Sequence, residues 1–140
     1  MLRAFPKMLI AVVLYTALIF GGAALGHRPD VLLAQNFPVT VFSGDVWKIS
    51  LSDGLVTLAL VFLFIEIIKA TRTSRREILN HAFSTLTLMA AGAEFIAVKG
   101  FGTSTFFLIT LMCLFDVVAG YTVSIVTAKR DVAVVPPEVN

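Results

Sequence analysis

Three carboxylates stand inside otherwise apolar runs: Glu66 in LVFLFIEIIKATRTSRRE, Glu94 in LMAAGAEFIAV and Asp116 in FFLITLMCLFDVVAGYTVSI. A charge at the centre of a membrane-spanning helix costs about 2.5–3.5 kcal/mol even on the lenient insertion scale. Each acid therefore calls for a partner, a proton or a cation. Counting about 1.5 Å of rise per residue from the outer end of each run, Glu94 lies only about 6 Å deep, Asp116 about 18 Å and Glu66 about 20 Å. The same arithmetic puts Tyr15 near about 16 Å, Ser84 about 21 Å and His81 about 25 Å. Tyr15, Glu66, His81, Ser84 and Asp116 are thus expected to form one polar layer, with one or two groups from each of four helices.

Glu66 has two readings. Facing the other helices, it can hydrogen-bond to Ser84, His81 or Tyr15, with Lys69 one turn on to neutralise it. At an interface it simply pairs with Lys69 or Arg72. Asp116 is the sharper signal, because no basic residue lies within four positions of it. It needs a partner on another helix, a proton or a cation, and Gly120 one turn later opens room beside it. Asn80, Ser84, Thr87, Ala91 and Glu94 recur at +4, +3, +4 and +3, which is one helical face. That face is expected to point into the bundle, while Glu94 can reach water or pair with Lys99 or Lys48.

Other chemistries find no support. The one cysteine, Cys113, leaves no intramolecular disulfide and no Cys-x-x-Cys centre. His27 and His81 belong to opposite ends of the spans and cannot together hold one haem or metal. His81, Ser84 and Asp116 include the residue types of a hydrolase triad, but no G-x-S-x-G elbow accompanies them. Phosphate loops, zinc motifs and dinucleotide fingerprints are lacking. No catalytic residues, cofactor or metal are expected, and the net charge of +2 needs no nucleic acid to explain it.

The elements that must position these groups follow from composition. The chain has 140 residues, 58% hydrophobic and 14% charged, against roughly half and a quarter in soluble domains. This is a single integral membrane domain over residues 1–140. Since about 20 residues cross the hydrocarbon, the uncharged runs predict four spans, at about 8–26, 54–70, 78–98 and 104–128. Arg3 and Lys7 before an apolar core ending in Ala24-Leu25-Gly26 resemble a secretory signal, but a run this long exceeds a usual signal core of roughly 7–15 residues.

Lys and Arg mark the cytoplasmic side. Arg3, Lys7, Lys69, Arg72, Arg75, Arg76, Lys129 and Arg130 fall on one side of the spans, against Arg28, Lys48 and Lys99 on the other. Both termini are therefore expected in the cytoplasm.

Within the external segment, NFPVTVFSGDVWKISLSDG alternates with period two, and Gly44-Asp45 suits a two-residue hairpin turn. A hairpin over about 37–51 is expected, with Phe42 facing Trp47, Thr40 facing Ile49, and its apolar face docked on the helix ends. Ser52 or Asp53 can cap the second span, Ser74-x-x-Glu77 the third, and Thr103 or Ser104 the fourth. The tight turn before residue 78 makes spans two and three expected antiparallel neighbours. Gly22-x-x-x-Gly26 offers a close-packing face, within the bundle or between protomers. The tail, 131–140, should be extended.

From SGDVWKISLSDG through FLFIEIIKATRTS, NHAFS and STFFLITLMCLFDVVAGYTVSI to AKRD, the chain resembles a group of small bacterial inner-membrane proteins with four predicted helices and no assigned activity. The resemblance covers roughly residues 40–131 and implies topology only. Small multidrug transporters share the size and helix count, but their membrane carboxylate lies in the first helix, where this chain has Tyr15 and Thr16. The expected fold is an all-α membrane protein, a four-helix antiparallel bundle with an external β-hairpin between its first two helices. The expected function is that of a non-enzymatic accessory or scaffolding subunit of an inner-membrane assembly, in contact with lipid and with other membrane subunits or copies of itself. The alternative is a proton- or cation-coupled carrier or channel acting as an oligomer.

Overall fold

The computed structural model describes residues 6–71 and 75–133. The elements are α1 (Lys7–Ala24), α2 (Pro29–Leu33), β1 (Asn36–Thr40), β2 (Val46–Ser50), α3 (Leu51–Ala70), α4 (Arg75–Ala97) and α5 (Ser104–Ala133). Three of the helices, α1, α3 and α5 over Ser104–Val126, are long and apolar enough to cross a membrane. Asn80, His81, Ser84, Thr85, Thr87 and Glu94 interrupt the apolar character of α4, which is long enough but not among them.

The helix ends show which local signals dominate. At the end of α1, Gly26 takes φ +79°, its N–H donates to Ala23 O at 3.0 Å, and His27 N–H donates to Gly22 O at 2.9 Å. This is the Schellman closure. Gly26 therefore ends the helix rather than continuing a face with Gly22, and Gly22 makes room within the chain for Leu32 of α2, whose Cδ2 would lie 2.6 Å from an added Cβ. The short helix α2, opened by Pro29 at its first position, was not anticipated. Helix α3 begins at Leu51, ahead of the expected residue 54, because Ser50 rather than Ser52 or Asp53 is the N-cap. Ser50 accepts from Asp53 N–H at 3.1 Å, and Asp53 Oδ2 accepts from Ser50 N–H at 2.8 Å. Thr103 caps α5, its Oγ1 accepting from Phe106 N–H at 3.2 Å. Helix α5 runs past residue 128 to Ala133, since no breaker precedes Pro136. The expected capping box of Ser74 and Glu77, and the tail from residue 134, lie outside the described residues or side chains.

The hairpin forms in a register different from the expected one. Phe37 pairs with Ile49, Val39 with Trp47 and Thr40 with Val46. Val41 N–H donates to Asp45 O and Gly44 N–H to Val41 O, both at 2.9 Å. Phe42-Ser43-Gly44 is thus a three-residue loop with Gly44 at φ +90°, the form in which a tight turn is followed by a left-handed residue. Nor is the hairpin docked on the helix ends, for β1 is exposed throughout and β2 is exposed through Lys48.

Packing places α5 against both α3 and α4, and α1 against α3. Consecutive helices α3 and α4 lie across the bundle from each other rather than side by side, which corrects the expectation that they are neighbours. Ser52 Oγ and Thr105 Oγ1 meet at 2.6 Å, so α3 and α5 start at the same end and run parallel. Helices α1 and α4 run the other way. The bundle alternates along the chain, but its best-packed pair is parallel, so it is not antiparallel throughout. One core joins Met8, Val12, Tyr15 and Ile19 of α1 to Leu55, Ala59 and Leu63 of α3 and to Phe106, Ile109 and Cys113 of α5. Helix α4 adds Ala91. Its other buried positions among the described residues, Asn80, His81, Ser84 and Thr87, are polar.

Candidate functional site: the buried acid layer

Near the Lys69 end the core turns polar. Glu66 follows Leu55, Ala59 and Leu63 on the inward stripe of α3, so the helical period that buries those side chains also buries its carboxylate. Its side chain has no exposed surface. Lys69 Nζ donates to Oε1 at 3.0 Å and to Oε2 at 2.9 Å, and Asn80 Nδ2 of α4 donates to Oε2 at 3.1 Å. Lys7 N–H donates to Oε1 at 2.7 Å. That amide is the first of α1, one of the N–H groups at a helix start that have no acceptor within the helix. Glu66 therefore caps a helix from a different element. A carboxylate there also meets the positive end of the α1 dipole, so one acid ties α1, α3 and α4 together.

Asp116 occupies the corresponding stripe of α5, after Phe106, Ile109 and Cys113. Ser84 faces it from α4, and Glu66, His81 and Lys69 are within electrostatic reach. The Ser84 contact falls outside hydrogen-bond geometry: Asp116 Oδ2, Ser84 Oγ and Asn80 Oδ1 are all buried without a partner among the described residues. Three acceptor-capable oxygens of α4 and α5 are thus buried without a hydrogen bond among the described residues. Such groups are rare in folded interiors, because each forfeits the water it would bond outside.

His81 Nε2 meets Ser124 Oγ at 2.8 Å, and its ring lies 5.2 Å from that of Tyr121. The space beside Gly120 is filled by this ring, since a Cβ there would sit 2.7 Å from His81 Cε1. Tyr15 belongs elsewhere. Its hydroxyl meets Thr103 Oγ1 at 2.6 Å at the hairpin end, among Phe101 and Phe106 with ring centroids at 5.5 and 4.6 Å. Depth counted along a helix locates a Cα, and a tyrosine hydroxyl lies a ring's length from it. Glu94 accepts from Thr16 Oγ1 at 3.3 Å rather than pairing with Lys99 or Lys48.

Of the five expected layer residues, Glu66, His81, Ser84 and Asp116 share the buried α3–α4–α5 region, and Tyr15 does not. Glu66 bonds to none of the three polar side chains expected of it. Asn80, the Lys7 amide and Ser124 were missed as members. Ser124 had a legible signal, the +4 spacing of Asp116, Gly120 and Ser124 along α5, whereas the reach of Glu66 to the start of α1 had none. Among the described residues no group of three or more His, Cys, Asp and Glu could hold a metal ion. Comparison of the chain with protein-family models, with curated proteins and with solved structures found no match in any of the three.

Proposed function

We propose that this protein is a non-enzymatic integral membrane protein, an accessory or scaffolding subunit of an inner-membrane assembly. The observation that carries this reading is Glu66. Of the two deep acids, it is the one fully engaged in structural ties, to Lys69, to Asn80 and to the first amide of α1. Along α3, the exposed Leu60, Val61 and Phe64 with Ile67 and the edge of the buried Leu63 line an open apolar groove of about 430 Å³, a shape that suits a neighbouring helix in lipid. In this reading α4 is the fourth span. Because α3 and α5 begin at the same end, α4 has to return the chain across the thickness that α3 has crossed. Four crossings put both termini on one side, and the Lys and Arg bias makes that side cytoplasmic.

A second reading, a proton- or cation-coupled carrier or channel acting as an oligomer, is favoured by Asp116 Oδ2, which like Ser84 Oγ and Asn80 Oδ1 is buried without a partner among the described residues. A pH-sensitive dye inside vesicles separates the two. Wild type, Asp116→Asn and Glu66→Gln are reconstituted and given a proton or cation gradient. The scaffold reading expects no flux from any of them, and flux in the wild type that Asp116→Asn abolishes would replace it with the carrier reading, since an amide cannot release a proton. Purification from native membranes in mild detergent supplies the positive arm. A stoichiometric companion or a defined oligomer is expected, lost on Val61→Trp, and a chain that emerges alone and monomeric would refute the scaffold.

A further inference from the structure

The hairpin divides into two unlike faces. Phe37, Val39, Trp47 and Ile49 share one, by their direct pairing across the strands, and Val41 continues it. The other carries Asn36, Pro38, Thr40, Lys48 and Ser50 with Val46. The apolar face is open: Phe37 is 74% exposed, Trp47 56%, and Phe42 at the tip wholly so. A lone two-stranded hairpin is marginal in water, and this one meets the bundle mainly where β2 runs into α3.

Its attachment limits where it can lie. Ser50 is at once the last residue of β2 and the N-cap of α3, and Leu51 N–H donates to Gln35 O at 2.8 Å across the base. There is no linker. Since α3 is apolar enough to cross a membrane, the base of the hairpin is held where α3 enters the hydrocarbon. Five-residue strands reach about 17 Å, whereas the headgroup region on one side is only roughly 5–8 Å deep. Standing upright, the hairpin would leave much of its apolar face and the Phe42 tip in water.

We infer that the hairpin lies along the membrane surface, with Phe37, Val39, Trp47 and Phe42 seated in the headgroup–acyl boundary of the adjoining leaflet. Lipid is the occupant because the apolar face starts at the mouth of a lipid-facing helix with no intervening segment. The division into an aromatic-rich face and a polar face bearing Lys48 is also that of interfacial segments. This inference needs only the membrane-spanning character of α3, and holds whichever function the bundle serves.

Trp47 is the single tryptophan of the chain, so the unmodified full-length protein reports on its own hairpin. It is reconstituted in phosphatidylcholine–phosphatidylglycerol vesicles, with lipids brominated at shallow or deep acyl positions and with iodide on both sides of the membrane. Shallow bromines are expected to lower Trp47 emission about twofold and deep bromines less, while iodide quenches weakly. A Phe37→Ser, Phe42→Ser variant of unchanged helical circular dichroism should then show about twofold stronger iodide quenching. Strong iodide quenching without bromine quenching in the wild type would put the face in water. Protection from both quenchers would put a protein there, a second copy or a partner. Either result overturns the inference, as does a double variant that responds like the wild type.

Discussion

His81 holds its place because residue 120 has no side chain. Its ring fills the position that a Cβ on Gly120 would take, 2.7 Å from Cε1 and 2.8 Å from Nδ1, and from there Nε2 reaches Ser124. Gly120→Ala should force the ring out, breaking that bond and the contact with Tyr121. A cost of about 1–3 kcal/mol is expected, read as a lower melting temperature in detergent. The same substitution in a His81→Ala background should cost much less, because nothing is left to collide with the new methyl group, and equal losses in both backgrounds would contradict the packing. Sequence spacing suggested that Gly120 opens room beside Asp116. That the room belongs to a residue of α4 depends on the rotation of one helix against another, which no spacing within α5 encodes.

At the scale of the element, Ser50 joins hairpin to helix. Its side chain and amide complete the capping box with Asp53, so the strand ends and the helix starts on one residue. Ser50→Ala should cost about 1 kcal/mol, seen as faster hydrogen exchange at the Asp53 amide. Exchange at Leu51, whose amide closes the hairpin base on Gln35, should rise with it. A change confined to the helix would mean that the two elements are not mechanically joined. The existence of the hairpin was legible from alternation and from Gly44. Its register was not, because Gly44-Asp45 can be read as a two-residue turn, whereas the three-residue loop puts only Gly44 in the left-handed region and shifts every pair.

The whole molecule makes a topological commitment. In the proposed topology α3, α4 and α5 cross in turn, which puts Asp45 ahead of α3 and Lys129 near the end of α5 on opposite sides of the membrane. Cys113 is buried and is replaced by Ala for the measurement. An impermeant maleimide should label Asp45→Cys on intact cells, and Lys129→Cys only after permeabilisation. Labelling of Lys129→Cys from outside would invert the orientation or remove a crossing. Chain order alone made α3 and α4 neighbours by their short connection, but each packs mainly on α5, and they meet across the bundle where Asn80 reaches Glu66.

What the sequence determined by itself is what composition and period determine: the apolar helices, the stripe of α4 that faces inward, and the burial of Glu66 and Asp116 within the bundle. These are properties of one helix at a time, set by the cost of polar groups in hydrocarbon and by 3.6 residues per turn. Tertiary structure alone decided the pairings. Glu66 was legible as a buried acid with Lys69 as its partner, but its role as the cap of α1 arises because the first amide of a helix has no acceptor within it and α1 runs antiparallel to α3, bringing that amide beside the acid. Asp116 was legible as an acid without a local cation. Its Oδ2 accepts no hydrogen bond among the described residues, while the Lys69 ammonium is held by Glu66, and only the packing of four helices could assign one cation between two acids.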